Sequence, residues 1–214
     1  NSDARSLTRH ALQSDGIPRQ QGRRLRAAAI AVAWTLISVP VSHTQPLTPT
    51  EYEVKAAYLF NLGKFVEWPA QAAVKEDSFP ICVLGADPFG QVLDAAIAGE
   101  TIGGKTVIAK RISKPQDATG CRILFISSSE EGCLQEILAN LDGTSVLTVS
   151  DMPDFGQRGG MIHLVLENRK VRFAVNLTAA ERAGLTLSSQ LLKLAVRVTG
   201  KPRPTAGAGA GAGD

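Results

Sequence analysis

The first strong hydrophobic pattern in the chain is an uncharged, mostly apolar run of 15 residues at positions 27–41. A basic cluster at 23–26 precedes this run, and a short polar segment at 42–45 follows it. A basic start, an apolar middle and a small polar exit are typical of a secretory signal. The run is shorter than the roughly 20 residues that cross a bilayer, which disfavours an uncleaved anchor. We therefore predict that residues 1–43 hold upstream residues plus a cleaved signal peptide, and that the remainder acts outside the cytoplasm.

An amphipathic helix is predicted shortly after this segment. Residues 50–53 form a capping box, with Thr50 as the N-cap and Glu53 at the third helical position. Apolar residues then recur at three- and four-residue steps, which gives the helix one apolar stripe. The stripe consists of Val54, Ala57, Tyr58, Leu62 and Phe65. We expect the helix to end at Trp68, because a residue before proline is pushed out of helical backbone geometry.

Beyond this helix, short apolar strands alternate with helices. Strands are predicted at 79–84, 105–112, 121–126, 145–149, 161–166 and 170–175, and helices at 88–98, 130–141, 179–183 and 188–198. Strands that are continuously apolar rather than alternating favour a parallel sheet covered on both faces. The last two strands are separated by three residues, which indicates a hairpin. We predict an α/β fold: a single three-layer domain with a mostly parallel central sheet, a C-terminal antiparallel hairpin and helices on both faces.

Composition sets the limits of this domain. Residues 47–199 carry the patterned sequence, about 150 residues, which is enough for a sizeable core. Residues 200–214 include a strict Ala-Gly alternation from Ala206 to Gly213, which offers no side chains to build a core. We therefore predict a disordered tail over 200–214.

Charge gives little support for nucleic-acid or membrane binding. The whole chain has 23 basic and 20 acidic residues, of which six basic and two acidic residues lie within 1–43. The remaining part therefore carries a net charge near −1 and lacks the positive field that binding to nucleic acid or to anionic lipid requires. No second apolar run is long enough to cross a bilayer, so this part is expected to be soluble.

Three cysteines follow the predicted signal segment, at Cys82, Cys121 and Cys133. Cys82 lies on the first predicted strand and Cys121 opens the third, so the two thiols either form a bridge or remain as two buried thiols. Cys133 lies on the following helix and is either a buried small apolar residue or an exposed thiol. The spacings match no CxxC or zinc-binding pattern, so we expect no metal and no cofactor.

Catalytic motifs are weak throughout. Gly85 to Gly90 follows a strand and precedes a helix but lacks the lysine of a phosphate-binding loop, so we interpret it as a turn with Asp87 as N-cap and Pro88 at the first helical position. Ser127 to Ser129, together with Asp151 and His163, suggests a hydrolase only faintly, because no nucleophile elbow surrounds the serines. We expect no catalytic residues.

One edge of the predicted sheet offers a candidate ligand crevice. Asp87, Ser127 and Asp151 each follow the carboxyl end of a strand, and ligands of open α/β sheets bind at that edge. The residues there predict either a small-molecule or peptide groove or a loop shaped only by proline and glycine.

Several local patterns together resemble the YfiR family of periplasmic proteins. The likeness covers about residues 51–198 in the expected order. It is carried by KAAYLFNL at 55–62, FVEWP at 65–69, GGMI at 159–162, VRFAVN at 171–176 and AGLTLSSQLL at 183–192.

The resemblance implies a periplasmic regulatory protein that is not an enzyme. It implies a partner in the inner membrane, such as a diguanylate cyclase that the domain restrains, and an outer-membrane lipoprotein that relieves the restraint. The output would be cyclic di-GMP, and with it biofilm formation and motility, and the protein could be a homodimer. Cys82 and Cys121 resemble one of the family's disulfide pairs, whereas the second pair is absent here.

We expect partner binding at exposed apolar groups, with Phe65, Trp68 and Phe155 as candidates. The alternative function is a periplasmic small-ligand-binding module that uses the crevice around Asp87, Ser127 and Asp151.

Overall fold

The structure is a computed structural model that describes residues 49–70 and 78–200. The predicted signal segment at 1–43 and residues 201–214 of the predicted tail lie outside the described residues. Among the described residues, no helix is both long enough and apolar enough to cross a membrane.

Five α-helices are described, together with two short 3-10 helices at Pro115–Gly120 and Ser128–Cys133. The α-helices are α1 (Glu51–Leu62), α2 (Gln91–Ile97), α3 (Leu134–Asn140), α4 (Leu177–Arg182) and α5 (Ser189–Leu194).

Ten strands form two sheets within the described residues. The strands are β1 (Val66–Glu67), β2 (Ser78–Leu84), β3 (Thr101–Ile102), β4 (Lys105–Ile112), β5 (Ile123–Ile126), β6 (Leu147–Ser150), β7 (Ile162–Glu167), β8 (Lys170–Asn176), β9 (Thr186–Leu187) and β10 (Arg197–Thr199). β1 pairs with β9 in a small antiparallel ribbon, and the other eight strands form one sheet in the order β10-β8-β7-β6-β5-β2-β4-β3. Only the pairs β3–β4 and β7–β8 in this larger sheet are antiparallel.

Alternate residues of the central strands pack into two separate apolar layers. Ile81 and Val83 of β2 face a layer that includes buried residues of α1, α2, α4 and α5. Cys82 and Leu84 face the other layer, which is covered by α3 and the first 3-10 helix. Because strand side chains alternate between the faces of a sheet, continuously apolar strands need cover on both sides. The predicted fold class, a mostly parallel sheet between helices with an antiparallel hairpin, is therefore confirmed.

The start of α1 agrees with the prediction and its end does not. Thr50 accepts a hydrogen bond from the backbone of Glu53 in the predicted capping box. The helix stops at Leu62 rather than Trp68, and the chain continues in turns in which the N–H of Lys64 donates to Asn61 and that of Phe65 to Leu62. Gly63 lies where a Cβ would overlap Ile102 and Phe79. The residues after this turn enter β1 instead.

Other predicted helices are also shorter than expected. The predicted helix at 188–198 is α5 followed by the edge strand β10, so the hairpin does not form the edge of the sheet. The predicted helix at 130–141 begins as a 3-10 helix and becomes α-helical only at Leu134. The N-cap of α2 is Gly90 rather than Asp87.

Candidate functional site

Asp87 lies in the turn after β2, and its carboxylate is already engaged within the chain. It accepts hydrogen bonds from the backbone N–H of Phe89 at 2.8 Å and from Nε of Arg111 at 2.8 Å. Arg111 also binds Asp94 through two nitrogens, at 2.8 and 2.6 Å. These hydrogen bonds raise the pKa of Arg111 and lower that of Asp94. The Asp87 carboxylate therefore fixes a turn and a neighbouring strand.

Ser127 is buried at the end of β5 and caps the 3-10 helix that follows. Its Oγ accepts from the backbone N–H of Ser129 at 3.5 Å, and Ser129 Oγ accepts from the N–H of Ala86 at 2.9 Å. In the described residues, no hydrogen bond joins these serines to His163. The arrangement ties the loops after β2 and β5 together and does not assemble a nucleophile with a base.

Asp151 follows β6 and binds a buried lysine of α1. Nζ of Lys55, a residue only 3% exposed, lies 2.6 Å from Oδ2 of Asp151 and also contacts the Glu51 carboxylate. The hydroxyl of Tyr52 donates to Asp151 at 3.3 Å, and the Lys55 ammonium lies 4.6 Å from the centre of the Tyr52 ring. Burial alone would lower the pKa of Lys55. Its hydrogen bonds to Asp151 and Glu51 together have a larger effect in the opposite direction, so the pKa is raised.

The predicted crevice residues thus lie along one edge of the sheet without converging on a ligand. The loop that holds Asp87 touches the loop that holds Ser127, and the Tyr52 ring lies 5.5 Å from that of Phe89. Asp87 and Asp151 each accept hydrogen bonds from cations of the same chain. Neither of the two grooves described next is lined by these predicted residues.

A groove of about 420 Å³ lies on the open face of β7, β8 and β10. Its wall includes His163, Val165, Ala174, Asn176 and Arg197. Burial lowers the pKa of His163, against the opposing influence of Asp154 and Asp151. This groove offers an imidazole, an amide, a guanidinium and the carboxylates of Asp154 and Glu167 beside apolar side chains, which is a lining suited to a small polar ligand.

A second groove of about 250 Å³ runs between α1 and α5, and we call it the α1 groove. It is almost wholly apolar and is lined by Val54, Ala57, Tyr58, Asn61, Leu62, Phe65, Phe173, Leu191 and Leu194. Leu194 is 65% exposed and adds apolar surface to this groove. The Tyr58 and Phe173 rings both line it, with their centres 5.7 Å apart.

The predicted docking residues have different environments. Phe65 is half-buried and lines the α1 groove, and Trp68 is half-buried with its indole packed edge-on against Phe79 at 5.3 Å. Phe155 is completely buried, so the expectation that its ring is exposed is wrong. Its ring fills the space beside Gly160, where a Cβ would overlap it. The loop after β6 folds this aromatic residue inward against α3.

The cysteine alternatives are resolved in the structure. Cys82 and Cys121 form a disulfide with a Cα–Cα distance of 5.9 Å, whereas Cys133 is a free and exposed thiol. No cluster of metal-ligating side chains occurs in the part of the chain that the structure describes.

Sequence reasoning missed two buried cations, Lys55 and Arg122. A signal was present for each. Lys55 is a charged residue among the buried residues of α1, four residues after Glu51. Arg122 is the one charged residue in the run 121–126 that was predicted as a strand.

A family model described as YfiR/HmsC-like matches residues 52–196. Among solved structures, a conserved domain protein from Vibrio cholerae aligns over 70% of this chain and 60% of its own, with 12% identity and a TM-score of 0.50. An ABC domain from Streptococcus pneumonia, solved in complex with L-Trp, aligns over 67% of this chain and 60% of its own, with 10% identity and a TM-score of 0.48. The chain therefore spans about 60% of the length of each of these structures, and the first likeness shows the fold alone.

Proposed function

The chain belongs to the YfiR/HmsC-like family, and from this premise we propose that it is a periplasmic, non-enzymatic regulator. It binds the periplasmic part of an inner-membrane signalling protein and restrains the activity of that protein. The partner that we propose is a diguanylate cyclase. The consequences would be a change in cyclic di-GMP and, through it, in biofilm formation. An outer-membrane lipoprotein that captures the regulator, and a homodimer as the restraining species, complete the proposal.

The α1 groove is the observation that supports this proposal most directly. An apolar groove beside an exposed leucine is unfavourable in contact with water and favourable when a partner covers it. Its lining includes Phe65, which belongs to one of the segments that resemble the family. It also includes Leu194, the last residue of α5. We assign the docking surface to this groove, with Trp68 on the segment that follows Phe65.

Restraint then needs no chemistry in the domain. A regulator that binds one arrangement of a membrane sensor better than another shifts the population toward that arrangement. A hundredfold preference, about 2.7 kcal/mol, is enough to turn a balanced equilibrium into one that is 99% inactive. An apolar groove that packs against only one arrangement of the sensor can supply such a preference.

The test is cross-linking in cells that express the tagged full chain, followed by identification of the inner-membrane proteins that co-purify. Two exposed leucines give a matched pair of variants: Leu194→Glu places a charge at the α1 groove, and Leu166→Glu does so on β7. We expect the first variant to recover at least tenfold less membrane partner, and the second to behave as wild type. Recovery of no membrane signalling protein, or equal recovery with both variants, contradicts the proposal.

A second candidate function, a periplasmic small-ligand-binding module, is favoured by the groove on β7, β8 and β10. Its volume of about 420 Å³ lies in the usual range for small-molecule sites. A thermal-shift screen with amino acids and nucleotides tests it, with Arg197→Gln as the variant that should remove a positive response. An unfolding temperature that moves with none of these compounds contradicts this candidate.

A further inference from the structure

Strand register places three residues side by side in the groove on β7, β8 and β10. His163 of β7, Ala174 of β8 and Arg197 of β10 are directly opposite one another in the strand pairing, and all three line the groove. Residues that are opposite each other on neighbouring strands project from the same face of a sheet. The small methyl group of Ala174 therefore leaves a notch between an imidazole and a guanidinium, whose backbones lie roughly 10 Å apart.

Neither cationic side chain of this notch has a hydrogen-bond or ion-pair partner within residues 49–70 and 78–200. Arg197 is exposed and pairs with no carboxylate there, whereas Arg111 and Arg158 are each paired with one. His163 is half-buried, and its ring nitrogens form no hydrogen bond within those ranges. A guanidinium and an imidazolium offer N–H donors only, so the ligand group that suits both is an anion.

Two carboxylates also line the groove and restrict what it accepts. Glu167 lies four residues from His163, about 13 Å along β7, and is opposite Lys170 of β8 in the strand pairing. Asp154 follows β6, accepts a hydrogen bond from Gln157 at 3.2 Å and acts to raise the pKa of His163. The notch is therefore the part of the groove where an anion meets cations, and the acids on either side repel a second anionic group.

We propose that this notch binds the anionic group of a small ligand, with the Arg197 guanidinium and the His163 imidazolium as its donors. The inference rests on the small-ligand-binding function proposed for this groove and names the class of ligand, a molecule with one singly charged carboxylate or phosphodiester group. Arg197 and Asp154 carry one charge of each sign, so an anion alone would leave an excess of negative charge. An anion that binds together with a proton on His163 leaves two positive and two negative charges.

The affinity of this site for anions should rise as the pH falls. Burial lowers the pKa of His163 in the free protein. Asp154 and Asp151 in the loop after β6 act to raise this pKa, and Arg197 acts to lower it. Arg172, two positions away from the notch on the same face of β8, adds further positive charge. An anion in the notch offsets these cations and raises the pKa of His163, and because linkage is reciprocal, protonation of His163 strengthens anion binding.

The chain contains its own reporter for this site. Its three histidines are His10, His43 and His163, so the full chain with His10→Gln and His43→Gln has one imidazole. Proton NMR across a pH series measures the pKa of this imidazole with lactate or dimethyl phosphate added at constant ionic strength. Both anions keep a single charge between about pH 5 and about pH 8. Lactamide and trimethyl phosphate are the matched neutral controls.

We expect at least one of the two anions to raise the pKa of His163 in a saturable manner, and both neutral compounds to leave it unchanged. The affinity for that anion should be at least about threefold higher near pH 5 than near pH 8. Arg197→Gln should abolish the response, and so should Ala174→Ile, which fills the notch and retains both cations. Arg182→Gln removes an exposed arginine of α4 that does not line the groove and should leave the response intact.

Three outcomes overturn the proposal. They are no saturable change in the pKa of His163 with either anion, an equal change with the neutral compounds, and an unchanged response in Arg197→Gln. The thermal-shift screen separates this inference from the function on which it rests. A compound that raises the unfolding temperature while neither anion acts on His163 would support the ligand-binding function and overturn the anion site alone.

Discussion

The contact between Lys55 and Asp151 explains why a cation occupies the inner side of α1. The ammonium is almost completely removed from water, and two carboxylates and one aromatic ring surround it. The sequence pointed to Asp151 as a strand-end acid. Its partner is 96 positions away, and nothing in a local pattern links residues at that separation. The sequence therefore indicated Asp151 as a site residue but did not indicate its ion pair with Lys55.

We predict that Asp151→Asn lowers the free energy of unfolding by about 3 kcal/mol at pH 7, because it removes one member of a buried ion pair. Glu51 still contacts the ammonium in this variant, which holds the loss at the lower end of the range for such pairs. Urea unfolding followed by circular dichroism measures the change. The double variant Lys55→Met with Asp151→Asn should lose less than the sum of the two single variants.

The pH dependence of the wild type provides a control. The pKa of Lys55 is raised in the folded state above its usual value of 10.5. The stability that this lysine contributes is therefore fully present below pH 10.5 and is lost as pH rises through the higher, folded-state pKa. Lys55→Met should show a shallower loss in this range, and identical curves for the two proteins would contradict the assignment.

At the scale of single elements, starts were easier to predict than ends. The capping box of α1 depends on side chains three residues apart, so the sequence contains the whole signal. The chain after α1 pairs as β1 with β9, about 120 positions further along the chain, so the sequence near residue 62 does not show where the helix ends. The chain after α5 likewise becomes β10 because β8 offers a free edge. Ends set by distant contacts were therefore missed.

The hairpin between β7 and β8 carries an unfavourable residue. Asn168 and Arg169 both have positive φ, 50° and 61°, in a two-residue turn between the paired Glu167 and Lys170. Turns of this kind favour Asn-Gly. We predict that Arg169→Gly raises the free energy of unfolding by about 1 kcal/mol, because it relieves left-handed strain. Chemical denaturation would measure the gain.

A neighbouring glycine substitution serves as the comparison. Lys170→Gly lies in the extended backbone of β8 and should destabilise the protein by roughly 0.5–1 kcal/mol through chain entropy alone. Destabilisation by both substitutions would show that the turn is not strained.

At the scale of the whole molecule, the fold class was predictable and the arrangement was not. Continuously apolar strands between helical segments are sufficient to indicate a parallel sheet covered on both faces. The strand order depends on which strands pair with one another, and these pairings join residues from distant parts of the sequence. The grooves arise between elements distant in sequence, so only Phe65 among their residues was predicted as a site residue.

The disulfide joins β2 to the residue that follows the first 3-10 helix, two positions before β5, across a sequence separation of 39 residues. We predict that replacing Cys82 and Cys121 by alanine lowers the free energy of unfolding by about 4 kcal/mol, the value expected when a loop of this length is released. The measurement is urea unfolding in a Cys133→Ser background, which prevents thiol exchange. Cys133→Ser alone should leave stability unchanged, and an equal loss there would show that the exposed thiol also matters.

Helix α1 makes aromatic contacts with two different parts of the domain. Its Tyr52 packs on Phe89 beside the strands that come early in the sequence, and its Tyr58 packs on Phe173 among those that come late. Between them, Lys55 is anchored to the loop after β6. The helix acts as a crossbar: a rotation or slide along its axis displaces contacts on both sides at once. A molecule bound in the α1 groove would therefore act through this one helix on the contacts of Tyr52, Lys55 and Tyr58 together.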